Sequence, residues 1–202
     1  MTAHKGLVGC LAIAVLATFL MRFNLTMAEH GEGVGAAAWR LFRYFTIWGN
    51  FLVGVWAVRF LLQGPLSPRI EGALLLTIVA IGIVYHVLLA ATADNQGAEI
   101  WVDAMLHTVI PIAYAALWLI FGSGDLRVGD VLLWLVLPLV YCIYAMLRGL
   151  ADGTFPYFFL DPTDIGILGV SAYIIGLLVA FAIGGLVIFV VGRTKGRVGL
   201  AP

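Results

Sequence analysis

Long apolar runs, interrupted at short intervals by Gly, Pro, Asp and Asn, make up most of this chain. Six of them, at about residues 6–26, 38–63, 70–91, 99–121, 128–148 and 164–191, each reach the ~20 residues that a helix needs to cross the hydrocarbon. The intervals at 31–35, 64–68, 94–97, 122–125 and 153–162 hold the turn-forming and polar residues expected between helices. The pattern predicts an all-α fold: a single domain over residues 1–202, six transmembrane helices, and no internal repeat.

Composition agrees with this reading. Hydrophobic residues make up 63% of the chain and charged residues 11%, and the mean hydropathy is +1.08, far outside the range of soluble domains. Formal charge is zero, so nothing marks a polyanion-binding surface, and no Walker or dinucleotide loop occurs in a strand-to-helix setting. No nucleic-acid partner is expected. The two cysteines, Cys10 and Cys142, fall inside predicted helices and read as packing residues rather than disulfide or metal positions.

Cations set the predicted orientation. With the amino terminus inside, Lys5, Arg59, Arg69, Arg127, Arg193, Lys195 and Arg197 face the cytoplasm, against Arg22, Arg40, Arg43 and Arg148 on the outer side. The positive-inside rule then puts both termini in the cytoplasm. Trp39 and Trp101 at one boundary, and Trp118 and Trp134 at the other, suit interfacial anchors. The basic start and short apolar run of the first segment resemble a signal peptide, but no small-residue cleavage site follows. It is expected to remain as a first helix, with Arg22 snorkelling from its last turn.

Polar groups inside membrane helices are costly and point to a bundle interior or a wet cavity. Thr46 and His107 each lie eight residues into predicted parallel helices, at about 12 Å depth for a rise of 1.5 Å per residue. His86, on the antiparallel third helix, sits somewhat shallower. Arg43, Thr46, Asn50 and Gly54 share one face of the second helix, as Asp103, His107, Pro111 and Tyr114 share one face of the fourth. A hydroxyl, an imidazole and a carboxylate one turn from that imidazole are the parts of a nucleophile, its base and an orienting acid. Each part also has an ordinary structural reading. A membrane threonine commonly bonds back to its own helix, a lone histidine can be a hydrogen-bonded packing group, and Asp103 suits the positive end of a helix dipole.

The segment Arg43-Tyr44-Phe45-Thr46-Ile47-Trp48-Gly49-Asn50, followed some sixty residues later by His107-Thr108-Val109-Ile110-Pro111, resembles the androgen-induced protein and androgen-dependent TFPI-regulating protein family. The aromatic run ending in Asp161 suits its bacterial six-transmembrane-helix branch. The resemblance implies a membrane threonine hydrolase acting on fatty acid esters of hydroxy fatty acids or similar acyl esters, in the bacterial cytoplasmic membrane. By motif position, Thr46 and His107 match the essential pair.

The mechanism expected from these residues has His107 activating Thr46 for attack on a lipid ester. Asp103 supports the imidazole, and Asn50, His86 or backbone amides hold the oxyanion. Arg43 or Arg148 binds a substrate carboxylate, and Phe51 and Tyr114 line an acyl cavity. No cofactor and no metal are expected. Two other readings of the same polar groups are a small transporter or channel with an intramembrane relay, and a lipid-binding membrane protein without turnover.

Overall fold

A computed structural model describes residues 2–197, with side chains to Lys195; the predicted cytoplasmic placement of the Arg197 side chain lies outside the described residues. The described residues are mostly helical, without strands. Six helical stretches are long and apolar enough to cross a membrane: Thr2–His30, Phe45–Gln63, Pro68–Thr92, Ala98–Phe121, Asp130–Asp152 and Pro162–Lys195. The protein is an all-α bundle of six such spans.

In chain order the helices are α1 (Thr2–His30), α2 (Val34–Leu41), α3 (Phe45–Gln63), α4 (Pro68–Val84), α5 (Ala98–Ala104), α6 (Ile110–Phe121), α7 (Asp130–Trp134), α8 (Val136–Asp152) and α9 (Pro162–Arg197). Local chemistry accounts for several starts. Pro68 opens α4 at a position that needs no backbone donor. The Asp130 carboxylate accepts the Arg127 N–H at the start of α7, and Asp161 accepts the Thr163 N–H at the start of α9. Gly166, at φ 69°, breaks the first turn of α9 from the rest.

The bundle is apolar outside and carries polar groups within. Leu62, Val87, Leu132 and Leu168 are exposed, whereas Asn50, Thr77 and Thr26 are buried, as expected where lipid rather than water is the solvent. Lipid gives apolar side chains no reason to prefer each other, so close packing of small residues holds such helices together. Gly49 of α3 shows this: a Cβ there would run into the Ile81 side chain of α4. α1, α3, α4 and α6 pack around one core containing Val53, Ile78, Ile110 and Tyr114, and α9 closes against α4. A second cluster, with Tyr141, Phe159, Leu160 and Val170, joins α8, α9 and the loop between them.

Two features depart from the expected spans. The second span does not run unbroken from residue 38: residues 42–44 are non-helical and separate α2 from α3. The other departure is a pair of π turns, Tyr85–Leu89 after α4 and Met105–Val109 between α5 and α6. Pro111 has no N–H to bond the His107 carbonyl, and the Ile110 N–H reaches back to the Met105 carbonyl instead. α4 and α6 approach so closely here that a Cβ on Gly82 would lie 2.9 Å from the His107 carbonyl oxygen.

Candidate active site

The break before α3 is held open by side chains from elsewhere. The Phe42 carbonyl accepts from the Trp48 indole at 2.8 Å and the Tyr144 hydroxyl at 3.2 Å. The Arg43 carbonyl accepts from the Tyr141 hydroxyl at 2.9 Å. Thr46 is therefore the second residue of a new helix, not the ninth of a continuous one. The carbonyl four residues back, which a helical threonine would ordinarily claim as Thr18 and Thr77 do, is already engaged. The hydroxyl of Thr46 turns instead to His107.

Thr46 Oγ1 lies 3.1 Å from His107 Nε2. On the other side of the ring, Nδ1 is 3.1 Å from both the backbone carbonyl and the carboxylate Oδ1 of Asp103. Acceptors alone surround Nδ1, which assigns the proton there and leaves a lone pair on Nε2 facing the threonine. Asp103 also faces the side chains of Tyr85 and Asn95. Tyr85 lies flat on the His107 ring, with centroids 3.9 Å apart and planes 9° from parallel. Thr46, His107 and Asp103 are all partly buried. The order hydroxyl, imidazole, carboxylate can pass a proton from Thr46 to His107 while Asp103 stabilises the charged ring.

Thr46 stands between two spaces of different character. A polar vestibule of about 480 Å³ is lined by Arg22, Asn95, Glu99, Asp103 and His107. A narrow apolar chamber of about 60 Å³ lies on the other side, lined by Ile81, Tyr141, Cys142, Leu160 and Phe181. Thr46, Tyr85, Leu89 and Tyr157 border both. Ala80, Val84, Leu177 and Phe181 line both the chamber and a long apolar groove along α4, α6 and α9.

Several sequence-predicted roles change. The guanidinium of Arg43 is held by both carboxylate oxygens of Asp152, at 2.9 and 2.6 Å, and by the Thr154 carbonyl. That hydrogen bonding to Asp152 pushes the Arg43 pKa up, and the group is not free for a substrate. Arg148 is also committed: it donates to Tyr144 at 2.7 Å and to the Trp39 carbonyl at 2.6 Å, and it stacks on the Trp39 ring at 3.9 Å. Tyr114 is a core residue, 1% exposed, whose hydroxyl donates to the Glu71 carbonyl. Phe51 faces a groove between α1 and α3, away from the chamber. Asn50 spends both amide protons on the carbonyls of Thr46 and Leu106, at 2.9 and 3.1 Å, and has none for an oxyanion. His86 is exposed, pairs with the Thr108 hydroxyl at 2.9 Å and lines neither space.

Three residues gain importance that their sequence context did not give them. Tyr85 was one more aromatic in an apolar run, and Tyr157 one of several before the last helix. Arg22 read as a snorkeller, yet it lines the vestibule, tied to Glu99 at 3.1 Å and Glu29 at 3.5 Å. No protein-family model, curated protein or solved structure matches the chain.

Proposed function

We propose that the protein is an intramembrane lipid ester hydrolase with Thr46 as nucleophile and His107 as general base. The observation that carries this reading is the 3.1 Å contact between Thr46 Oγ1 and His107 Nε2, with Asp103 behind the ring. A neutral threonine is a poor nucleophile, and a base within hydrogen-bond reach is what makes it competent. The two spaces meeting at Thr46 suit an amphiphilic ester: the first methylenes of the acyl chain in the chamber, polar end and attacking water in the vestibule. Fatty acid esters of hydroxy fatty acids, the substrates implied by the motif resemblance, have this form. The bacterial cytoplasmic membrane is the setting that goes with that resemblance.

The reaction runs in two halves. Thr46 Oγ1 attacks the ester carbonyl carbon as its proton passes to His107 Nε2, and the carbonyl π pair moves onto oxygen. Collapse expels the alcohol, which takes the proton from His107, and leaves an acyl-threonine. Water, deprotonated by His107, cleaves that ester, and the proton returns to Thr46 as the fatty acid leaves.

The test uses purified protein with a fluorophosphonate probe and with branched fatty acid esters, comparing wild type, Thr46→Ala and His107→Ala. Label on Thr46, with turnover reduced on the order of 10³-fold or more in both variants, is the expected result. Equal cleavage by all three with no label on any sinks the reading, and ester binding without turnover favours a lipid-binding protein instead.

A further inference from the structure

Ester hydrolysis through Thr46 needs a hydrogen-bond donor for the oxyanion, a term that removal of one such donor shows to be worth about 10²–10³ in kcat. Neither side chain expected in that role is available. Asn50 has given both amide protons to backbone carbonyls, and His86 lies outside both spaces.

Tyr157 is differently placed. Its hydroxyl accepts the Phe45 N–H at 3.0 Å, in the first turn of α3, and lies against Thr46. That bond uses a lone pair of the phenol oxygen and leaves the phenol proton to donate. Tyr157 and Thr46 both border vestibule and chamber, so an ester carbonyl spanning the two spaces passes between them. The ring is well fixed: it stacks on Phe159 at 4.9 Å and meets Tyr44 edge-on at 6.0 Å. The loop that carries it is anchored to the chain before α3 by Arg43, which grips Asp152 and the Thr154 carbonyl. Burial pushes the Tyr157 pKa up, which keeps the phenol protonated and able to donate at neutral pH.

We propose that the Tyr157 hydroxyl is the oxyanion donor of this site, giving its hydrogen bond to the carbonyl oxygen as Thr46 attacks. The assignment rests on the hydrolase reading above. No proton is transferred from the phenol: the charge moves onto oxygen when the C–O π bond opens, is held there by the O–H, and returns when the leaving group departs. The donor acts on charge that exists only beyond the ground state, so it bears on kcat far more than on KM.

The experiment measures kcat and KM for the full-length protein in detergent, comparing wild type, Thr46→Ala and Tyr157→Phe, with thermal unfolding of each. Tyr157→Phe keeps the ring and its stacking. The expected result is a kcat lower by about 10²–10³-fold, with KM within a few fold and unfolding lowered only modestly, by loss of the bond from the Phe45 N–H. A second arm places a ring-fluorinated tyrosine, a stronger acid of nearly the same shape, at position 157 and assays it below its own titration. There kcat should rise with phenol acidity, a response that packing alone would not give, and this arm decides if Tyr157→Phe unfolds. Turnover by Tyr157→Phe at the wild-type rate, or no response to fluorination, overturns the donor and leaves the Thr46 reading standing. Absence of turnover in the wild type overturns both.

Discussion

The phenol ring of Tyr85 covers one face of the His107 imidazole at 3.9 Å, so the base is fixed from three directions: threonine, acid and ring. Offset or parallel stacking contributes about 0.5–1.5 kcal/mol beyond burial. Its larger effect here is to limit rotation of the imidazole. Misplacement by about 1 Å can cost 10²-fold in rate. Tyr85→Ala is therefore expected to lower kcat/KM by about 10–100-fold, and Tyr85→Phe, which keeps the stack, by only a few fold. Equal losses in the two variants would shift the role from the ring to the hydroxyl that faces Asp103.

Arg43 and Asp152 should behave as one unit. The guanidinium bridges two carboxylate oxygens and a carbonyl, a forked geometry that lysine cannot reproduce. Asp152 is a third exposed, which discounts the pair relative to a buried one. A double-mutant cycle of Arg43→Met and Asp152→Asn, read by thermal unfolding, is expected to show coupling, the double variant losing less than the two single losses combined. Arg43→Lys should lose most of the same stability.

Gly82 allows α4 to lie against the π turn that carries His107. A methyl group there meets the His107 carbonyl at 2.9 Å, so Gly82→Ala should destabilise by about 1–3 kcal/mol and reduce turnover as well. Gly176→Ala is the control, because nothing stands within 4 Å of that Cβ. Alanine favours helix over glycine by up to about 1 kcal/mol, so this variant should be neutral or more stable.

Tyr157 predicts an alkaline limit. Its pKa is raised by burial in the folded protein, and an unfolded tyrosine titrates near 10. Above that pH the unfolded state releases a proton that the folded state keeps, so the stability present at lower pH is lost as the pH rises. Wild type should lose thermal stability more steeply than Tyr157→Phe between about pH 9 and 11. Parallel curves would refute this.

Leu177 lines both the chamber and the groove along α4 and α9. Leu177→Trp adds bulk to the apolar side of the site. On the hydrolase reading, the variant should turn over short acyl esters at near the wild-type rate and lose long ones, as measured across a chain-length series.

The six spans were legible because their information is local: twenty apolar residues and a turn signal suffice, and the observed ends differ from the expected ones by a few residues at most of the boundaries. Thr46 and His107 do meet, but the expected depth match assumed unbroken helices from residues 38 and 99, and a break and a π turn interrupt both. The break at residues 42–44 was not. No Pro or Gly marks it, and the groups that hold it, Tyr141 and Tyr144, lie about a hundred positions away. The same distance hid Asp152 from Arg43. Without it, Arg43 and Arg148 read as free cations at a boundary. Tyr85 and Tyr157 were invisible because an aromatic residue in an apolar context carries no sign of its partner, and both partners come from other elements.

The π turn over Met105–Val109 makes the base a matter of helix phase. Each residue of an α-helix advances the chain by about 100°. Deleting one residue from this turn would restore the ordinary repeat and swing everything on the α5 side, Asp103 included, by that angle around the axis. If the residue removed follows His107, the imidazole and Asp103 keep the four-residue spacing that puts them on one face and turn together away from Thr46. In a lineage of such proteins, a one-residue insertion or deletion can thus make or unmake the site while every side chain named in it is retained.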